Sequence, residues 1–466
     1  MFSFEELLKN RSAEHLKLHN HINPQFAKVL HTIGFDKNYT KAKDVSLFDN
    51  EGNEYLDFLS GYGVYAMGRN HPKMKQALHE LIDLDLANMV QMEAPALSGL
   101  LAEKLLGLTG HGVRDTVYFT NSGTESVETA LKFARAATGR DKTIHLDHAF
   151  HGLSTGSLSV NGNTEFREGF GTLLPSDKVT QNDLNALEDL LKTKEYAAFL
   201  FEPVQGKGVY VPEQNYLRQA IDLCHRYGTL AIADEVQAGL GRTGKWVACE
   251  HFAAQPDIIC FSKALSGGMV PVGAVVYKSE IYNKVFSRMD RCVVHSSTFG
   301  QNNLAMGCGL AALQILQEEQ LLENAKTKGE MLLQKLNELK KQHDWIKEVR
   351  GKGLMIGIEF GRPQGLKKKL AWDMVHKMDK GLFGEIIVMP LLAKHRILTQ
   401  VSGHHQDIVK LIPPLTLTNE HVERFVSALD EVLTGCEKVG GPIFTISKNL
   451  AKHVVSRKNK KATAAG

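Results

Sequence analysis

The sequence predicts an α/β fold built around a mainly parallel sheet that is covered by helices. Short β-branched runs alternate with amphipathic helical stretches through the middle of the chain, which is the pattern of such a sheet. The length of 466 residues corresponds to about three domains at the usual ~150 residues each, or to two large ones. Apolar residues make up 43% and charged residues 23%, so the composition argues against disordered, collagen-like and coiled-coil classes.

The predicted elements follow the chain in a definite order. An Asn50-Glu51-Gly52-Asn53 turn between two alternating runs predicts an early hairpin. Strands are then predicted at Thr116–Thr120, Lys142–Leu146, Ala198–Phe201, Leu230–Ala233, Asp257–Phe261 and Val272–Tyr277. After about residue 325, a charged helix is followed by the run RGKGLMIGIEF, a long apolar stretch expected to be a loop region, and a last helix near Glu420–Leu433.

This order predicts a large central domain flanked by a smaller one built from both chain ends. We expect residues 1–80 to contribute to the small domain, residues 81–325 to form the large domain, and residues 326–440 to complete the small domain. Residues 441–466 are expected to form a basic, flexible tail.

Charge and cysteine usage exclude several classes of protein. The net charge is +3, but the last twenty residues hold six basic residues and no acidic one. The remaining 446 residues therefore carry 49 basic and 52 acidic residues, which argues against a nucleic-acid partner. The six cysteines are scattered without a CxxC pair, so neither zinc nor disulfides are implied. No apolar run reaches the ~18 residues of a membrane span, and the start lacks the pattern of a secretory signal; a cytoplasmic protein is expected.

One helix start is suited to a phosphate group. The strand at Thr116–Thr120 is followed by Asn121-Ser122-Gly123-Thr124-Glu125 and then by an amphipathic helix, whose first N–H groups and positive dipole end favour an anion. An ordinary N-cap without a ligand is the equal alternative. The later Gly239–Gly244 segment matches GxGxxG, but no helix pattern and no ribose-binding acid follow it, so a dinucleotide site is disfavoured.

Two charged residues follow neighbouring predicted strands. Asp234 ends the run LAIA, and Lys263 follows DIICF, between apolar residues and flexible glycines. Ligands of open α/β sheets lie at the carboxyl ends of strands, and a lysine in such a setting needs a partner or a covalent use. Pyridoxal 5′-phosphate (PLP) requires a phosphate cradle, an acid for its ring nitrogen and an amine for its aldehyde, and the sequence offers all three.

Five ordered motifs identify a resemblance to a known family. The segments NSGTESVETALKFAR, FEPVQGKGVYVP, ADEVQAGLGRTGKW, DIICFSKALSGG and HSSTFGQNNLAMG together resemble class III aminotransferases of PLP fold type I, from about residue 40 to residue 435. Within that family the chain is similar to the putrescine, ornithine and 4-aminobutyrate aminotransferase branch. The resemblance implies a large domain with a mainly parallel seven-stranded sheet and a smaller α+β domain from both chain ends.

The resemblance also implies roles for individual residues. Lys263 is expected to form the Schiff base with PLP and to shuttle the proton, Asp234 to pair with the ring nitrogen, and Glu202 to lie near the imine side. The other expected PLP contacts are Ser122, Gly123, Thr124, Phe150, His151, Val236, Gln237 and Thr298. Thr298 is expected to reach the cofactor of a second subunit, which implies a homodimer with shared active sites. Without the resemblance, we would predict that Phe150 is a core residue.

Departures from the family pattern concern the substrate. Lys207 stands where related enzymes carry the glutamate of EPxQGE, and Lys410 stands where they carry an arginine that grips a carboxylate. Tyr62 and Tyr65 correspond to positions at the substrate mouth in the family. The apolar stretch at 381–392 is by itself consistent with a buried helix or an interface. Together with the two tyrosines, it suggests an apolar channel for a long or hydrophobic substrate.

Several histidines read as structural rather than metal-binding. His145, His148 and His151 are spaced by three residues on a strand and loop, a spacing that does not converge on one ion, and the pair His404-His405 reads as loop surface. No metal site is therefore predicted.

The predicted function is transfer of an amino group by a ping-pong mechanism with PLP. The donor is an amine or amino acid (a diamine, an ω-amino compound or a hydrophobic amine), and the acceptor is a 2-oxo acid or another carbonyl compound. A PLP-dependent decarboxylase, racemase or lyase on the same fold remains an alternative, because the same residues stabilise the same carbanion. A non-catalytic relative of the fold is the third possibility, and Lys263 argues against it.

Overall fold

A seven-stranded sheet forms the centre of the computed structural model, which describes residues 2–110, 112–378, 381–403 and 407–437. The strands of the described residues are β1 (Tyr39–Lys43), β2 (Ser46–Asp49), β3 (Glu54–Asp57), β4 (Thr116–Thr120), β5 (Lys142–Leu146), β6 (Ser176–Val179), β7 (Tyr196–Phe201), β8 (Leu230–Asp234), β9 (Ile258–Phe261), β10 (Gly273–Tyr277), β11 (Ile346–Lys352), β12 (Met355–Phe360), β13 (Ile397–Leu398), β14 (Gln400–Val401) and β15 (Ile408–Leu411).

The strand order of this central sheet is β4-β10-β9-β8-β7-β5-β6. Strands β6, β5, β7, β8 and β9 run parallel, and β10 is antiparallel to both β9 and β4. The prediction of a mainly parallel sheet is confirmed, and all six predicted strands are present. Strand β6, which holds Ser176, Asp177 and Lys178, was not predicted because it is short and polar on the sheet edge.

Helices cover the sheet and connect its parallel strands. The α-helices of the described residues, some of which lie outside this layer, are α1 (Phe4–Arg11), α2 (His15–His19), α3 (Pro24–Ile33), α4 (Ser60–Gly63), α5 (Pro72–Asp83), α6 (Ala96–Thr109), α7 (Gly123–Thr138), α8 (Thr155–Ser159), α9 (Thr164–Arg167), α10 (Leu184–Leu191), α11 (Tyr216–Arg226), α12 (Ser279–Val285), α13 (Asn303–Glu318), α14 (Leu321–Gln342), α15 (Leu366–Met378), α16 (Leu382–Ala393) and α17 (Asn419–Glu437). No helix within the described ranges is long and apolar enough to cross a bilayer.

Two smaller sheets are built from the chain ends. One has the order β1-β2-β3-β13, so that strand β13 pairs in parallel with the early hairpin, and the other has the order β11-β12-β15-β14. The predicted turn at residues 50–53 does connect the antiparallel strands β2 and β3. The tail at 441–466 and the pair His404-His405 lie outside the described residues.

The apolar stretch after residue 381 is a buried helix, which corrects the expectation of a loop and agrees with the alternative of a buried helix. Helix α16 begins after Gly381, whose positive φ of 93° lets the chain turn into the helix. Phe383 of this helix is fully buried and stacks on Trp345 with ring centroids 5.1 Å apart. The helix is apolar because it packs in the core, and none of its residues lines the cavity described below.

Candidate active site

Three charged side chains follow three neighbouring parallel strands. Glu202 comes directly after β7, Asp234 ends β8, and Lys263 lies two residues after β9. Since β7 pairs with β8 and β8 pairs with β9, these residues lie at the same edge of the sheet. All three line one cavity of about 410 Å³.

Asp234 is held by two groups of the chain. Its Oδ2 atom lies 2.8 Å from Nδ1 of His151, and its Oδ1 atom accepts a hydrogen bond of 3.0 Å from the Val236 N–H. Both Asp234 and His151 are buried. The arrangement fixes a carboxylate at the cavity wall, where it can pair with a cationic group of a ligand.

Lys263 places its amine in the cavity from a strained backbone. Its φ of +36° lies in the left-handed region that L residues seldom adopt. Burial lowers the pKa of the Lys263 amine, while the nearby carboxylates of Asp234 and Glu202 act in the opposite direction. A lower pKa makes the neutral, nucleophilic amine more accessible at neutral pH.

Glu202 is oriented by backbone N–H groups. Its Oε2 atom accepts from the Phe150 N–H at 3.1 Å, and its Oε1 atom accepts from the Gly206 N–H at 2.8 Å. Burial nevertheless raises the pKa of the Glu202 carboxyl, assisted by the charge of Asp234. The side chain is therefore a fixed carboxyl group beside the Lys263 amine.

The start of helix α7 forms another part of the cavity wall. Ser122 is the N-cap, and its hydroxyl accepts from the Glu125 N–H at 3.3 Å. At Gly123 a Cβ atom would lie 2.9 Å from Cγ1 of Val236, so only glycine fits there. The Thr124 hydroxyl lies 2.7 Å from the Ser157 hydroxyl. The Ser122 side chain thus bonds within the helix, whereas Gly123 and Thr124 at the helix start line the cavity.

Gln237 connects the cavity to the sheet that contains β15. Its Nε2 group donates to the Tyr62 carbonyl at 3.0 Å, and its Oε1 atom accepts from Nζ of Lys410 at 3.3 Å. Lys410 also donates to the Gly206 carbonyl at 2.9 Å. Burial, followed by the charges of Lys207 and Lys263, lowers the pKa of Lys410 to about 7.

Lys207 lies between two aromatic rings at the cavity wall. Its Nζ atom is 5.3 Å from the ring centroid of Phe150 and 5.2 Å from that of Phe166. The two rings pack edge to face at 5.4 Å. Burial lowers the pKa of Lys207, whereas the carboxylates of Glu165 and Glu202 favour the charged form. The ring faces also favour a cation at this position.

Most residues that the sequence predicted for the site line this single cavity, and three do not. Those that line it are Tyr62, Gly123, Thr124, Phe150, His151, Glu202, Lys207, Asp234, Val236, Gln237, Lys263 and Lys410. Ser122 caps helix α7, as described. Tyr65 packs under the Arg69 guanidinium, 4.1 Å from its ring centroid, and Thr298 is exposed, with its carbonyl accepting from Gln91.

Some cavity residues escaped the sequence analysis. Leu153, Phe166 and Gln400 line the cavity, and no motif marks them. Phe166 belongs to the four-residue helix α9, and Gln400 belongs to the two-residue strand β14. Such short elements carry no periodic signal, so only the three-dimensional arrangement identifies these residues. Within the described part of the chain, no group of three histidine, cysteine or acidic residues is placed to hold a metal ion.

The fold and the site together define a class of protein. A mainly parallel seven-stranded sheet that presents an aspartate and a lysine at the ends of adjacent strands, beside a glycine-opened helix, is the arrangement of PLP-dependent enzymes.

Comparison with known proteins identifies the family. Residues 31–433 match the family described as aminotransferase class-III. The chain is 38% identical over 399 residues to a putrescine aminotransferase of Pectobacterium atrosepticum, which covers 83% of this chain and 80% of that protein. It is 34% identical over 451 residues to the aminotransferase PigE of a Serratia species, covering 89% of this chain but only 52% of PigE. The chain thus spans about half the length of that relative.

A solved structure supports the same assignment. The chain is similar to the ornithine aminotransferase of Toxoplasma gondii, with a TM-score of 0.75 and 29% sequence identity. The match covers 86% of this chain and 90% of that chain, whose structure shows partial occupancy of PLP at the active site. The chain belongs to the class-III aminotransferase family, and its cofactor is PLP. The observed residues fit this cofactor. The buried amine of Lys263 and the fixed carboxylate of Asp234 face one cavity, and the start of helix α7, where a Cβ atom at Gly123 would approach Val236 closely, faces it too.

Proposed function

We propose that this protein transfers an amino group from an amine or amino acid to a 2-oxo acid or another carbonyl compound by a ping-pong mechanism. The observation that carries the proposal is the placement of Lys263 and Asp234 at the ends of the adjacent strands β9 and β8, facing one cavity. Family membership favours transamination over decarboxylation, racemisation or lyase chemistry. The candidate donors are diamines, ω-amino compounds and hydrophobic amines.

We assign a role to each cavity residue from its contacts. Bound PLP supplies an aldehyde carbon that takes up and releases the amino group, together with a ring that withdraws electrons. Lys263 would hold the aldehyde end and move the proton at the reacting substrate carbon through Nζ. Asp234 would hold the ring nitrogen, with His151 keeping its carboxylate in place. Glu202 would orient the groups next to Lys263.

The remaining contacts would complete the cofactor site. Gly123 and Thr124 would offer the start of helix α7 to the phosphate, with Ser122 as the cap that orients it. Val236 and Phe150 would lie against the two ring faces, and Gln237 would reach the ring oxygen. Tyr62, Tyr65, Lys207 and Lys410 would lie toward the substrate.

We also propose a homodimer in which Thr298 completes the active site of the other subunit. Thr298 is exposed, and its carbonyl accepts from Gln91, next to the exposed side chains of Met92 and Phe299. Apolar side chains exposed together suit a protein interface. We further propose a cytoplasmic location, in line with six unpaired cysteines, of which only Cys292 is exposed.

The proposal is tested by separating the two half-reactions. Purified protein loaded with PLP is mixed with donor alone, and we expect up to one carbonyl product per active site, followed by turnover when a 2-oxo acid is added. Parallel double-reciprocal plots are the expected kinetic pattern. Release of carbon dioxide, or loss of substrate chirality without a carbonyl product, would contradict transamination.

The shared active site has its own test. We expect chains carrying Lys263→Ala and chains carrying Thr298→Ala to be inactive or weak alone, whereas a mixed dimer with a shared site would contain one site with both residues intact. We expect activity to recover on mixing after dissociation and reassociation. No recovery in dimers that have exchanged subunits would show that each site is built from one chain.

A further inference from the structure

The substrate end of the cavity carries an excess of positive charge. Three lysines line the cavity, Lys207, Lys263 and Lys410, against the two carboxylates of Glu202 and Asp234. Both carboxylates are already engaged, since Asp234 lies against His151 and Glu202 accepts two backbone hydrogen bonds. If Lys263 and Asp234 hold the ring and aldehyde of the cofactor and the start of helix α7 holds its phosphate, the amines of Lys207 and Lys410 remain for the substrate.

Lys410 is a buried amine that forms no ion pair with a described carboxylate. Its side chain is only 3% exposed, and its hydrogen bonds go to a backbone carbonyl and to the amide oxygen of Gln237. None of the ion pairs among the described residues includes it. A buried ammonium without a counter-ion is costly, and burial lowers the pKa of Lys410 to about 7. Where Lys410 is protonated, an additional cation in the same cavity is disfavoured.

Lys207 adds a second cation on the same side. Lys207 directly follows Gly206, and the carbonyl of Gly206 accepts a hydrogen bond from Lys410. The positive charge of Lys207 contributes to the lowered pKa of Lys410. The faces of Phe150 and Phe166 hold the ammonium at 5.3 and 5.2 Å from their centroids. Because the two rings hold the Lys207 side chain in place, little additional conformational entropy is lost when a substrate binds beside it.

Four other residues that line the cavity, Leu153, Phe166, Tyr62 and Gln400, are apolar or neutral and cannot pair with an ammonium group. The carboxylates of Glu165 and Glu202 favour the charged form of Lys207. A donor whose reacting amine lies at Lys263 places its far end in this remaining space.

We infer that Lys207 and Lys410 act together as a charge filter that selects against donors with a second ammonium group, so that short diamines are poor substrates. This inference deepens the proposed function and rests on it. It runs against a direct transfer of diamine specificity from the putrescine aminotransferase that the chain resembles. Discrimination of this kind comes from like-charge repulsion rather than from additional contacts to the preferred substrate.

The test uses three donors of matched length that differ only in the far end. Pentane-1,5-diamine ends in an ammonium group, hexan-1-amine in a methyl group, and 6-aminohexanoate in a carboxylate. With the PLP-loaded enzyme, we expect kcat/KM for the diamine to be at least about tenfold lower than for either of the other donors. A preference for the diamine would overturn the inference.

Variants locate the effect. Lys207→Glu should raise the diamine-to-hexan-1-amine ratio of kcat/KM by about tenfold or more, and Lys207→Met should raise it by less. The matched control is Lys340→Glu, which makes the same charge change on the exposed face of helix α14 and should leave the ratio unchanged. An unchanged ratio in a folded, PLP-loaded Lys207→Glu protein would exclude the filter.

A binding measurement separates this inference from the proposed function. Hexanoate and hexyltrimethylammonium cannot react, and their dissociation constants can be compared by calorimetry with the PLP-loaded protein. We expect hexanoate to bind at least about tenfold more tightly, and the difference to shrink in Lys207→Glu. If no donor yields a carbonyl product, the proposed function is wrong. The binding comparison still tests the charge filter in that case, because equal binding of hexanoate and hexyltrimethylammonium would contradict the filter.

Discussion

Nδ1 of His151 lies 2.8 Å from Oδ2 of Asp234, and both side chains are buried at the end of strand β8. The contact leaves the other carboxylate oxygen with the Val236 N–H, so neither oxygen of Asp234 can rotate freely. His151 contributes no further hydrogen bond from its Nε2 atom within the described residues. We therefore regard His151 as a positioning residue that acts through Asp234.

The first prediction concerns this pair. Asp234→Asn removes the negative charge that would pair with the ring nitrogen, and we expect kcat to fall by at least about a hundredfold, or roughly 2.7 kcal/mol. His151→Gln should have a smaller effect on kcat, about tenfold, and should shift the pH dependence of the cofactor absorbance. Asp222→Asn, on an exposed face of helix α11, is the control. Full activity of Asp234→Asn would remove this residue from the mechanism.

The second prediction concerns Lys263. Lys263→Ala removes the buried amine two residues after strand β9, and we expect turnover to fall at least about a thousandfold, because this amine would move the proton at the reacting substrate carbon. Borohydride treatment followed by mass spectrometry should attach the cofactor to the peptide containing residue 263 in the unaltered protein only. Lys340→Ala should behave like the unaltered protein, and labelling at another lysine would contradict the assignment.

The third prediction concerns the close approach at Gly123. A methyl group there meets Val236 at 2.9 Å, so Gly123→Ala must displace either the start of helix α7 or the side chain beneath it. We expect a loss of about 1–3 kcal/mol in the free energy of unfolding and weaker PLP retention on dialysis.

A matched glycine provides the control for that result. Gly107 lies in helix α6 with no atom within 4 Å of an added Cβ. Gly107→Ala should raise the free energy of unfolding by about 0.5–1 kcal/mol, since alanine is the better helix former. Equal effects of the two substitutions would mean that the contact with Val236 carries no cost.

The fourth prediction concerns Lys410 and pH. Its pKa is lowered to about 7 in the fold, chiefly by burial, so between pH 7 and the ordinary lysine range the unfolded chain binds the additional proton. The contribution of this group to stability therefore rises as the pH rises through that window. Lys410→Met removes the contribution, so its melting temperature relative to the unaltered protein should be highest near pH 6 and should fall toward pH 9. A difference that is constant with pH would contradict a depressed pKa.

The fifth prediction concerns the core beneath helix α16. Phe383 is fully buried and stacks on Trp345, 5.1 Å between ring centroids. We expect Phe383→Ala to lower the free energy of unfolding by about 3–5 kcal/mol, measured by urea denaturation. Leu370→Ala, at an exposed position of helix α15, should change it by less than about 0.5 kcal/mol. A small effect at Phe383 would mean that the helix is not part of the core.

The sequence by itself determined the class of fold and the central chemistry. Strands β8 and β9 are buried and mainly apolar, so they are visible as local runs; Asp234 ends the first, and Lys263 lies two residues after the second. The helix start at Gly123 is also local, because a strand, a cap and an amphipathic repeat follow one another within a few residues. Local patterns of this kind do not depend on distant contacts.

Only the tertiary structure decided the surroundings of Lys207 and Lys410 in the cavity. Lys410 is brought to Gly206 by strand β15, Phe166 reaches Lys207 from a four-residue helix, and the apolar stretch at 381–392 proves to be core rather than channel. These are contacts between residues far apart in the chain. Their geometry depends on how the sheets and helices pack, and the polarity of a single segment does not reveal whether its partner is solvent, the core or a ligand cavity.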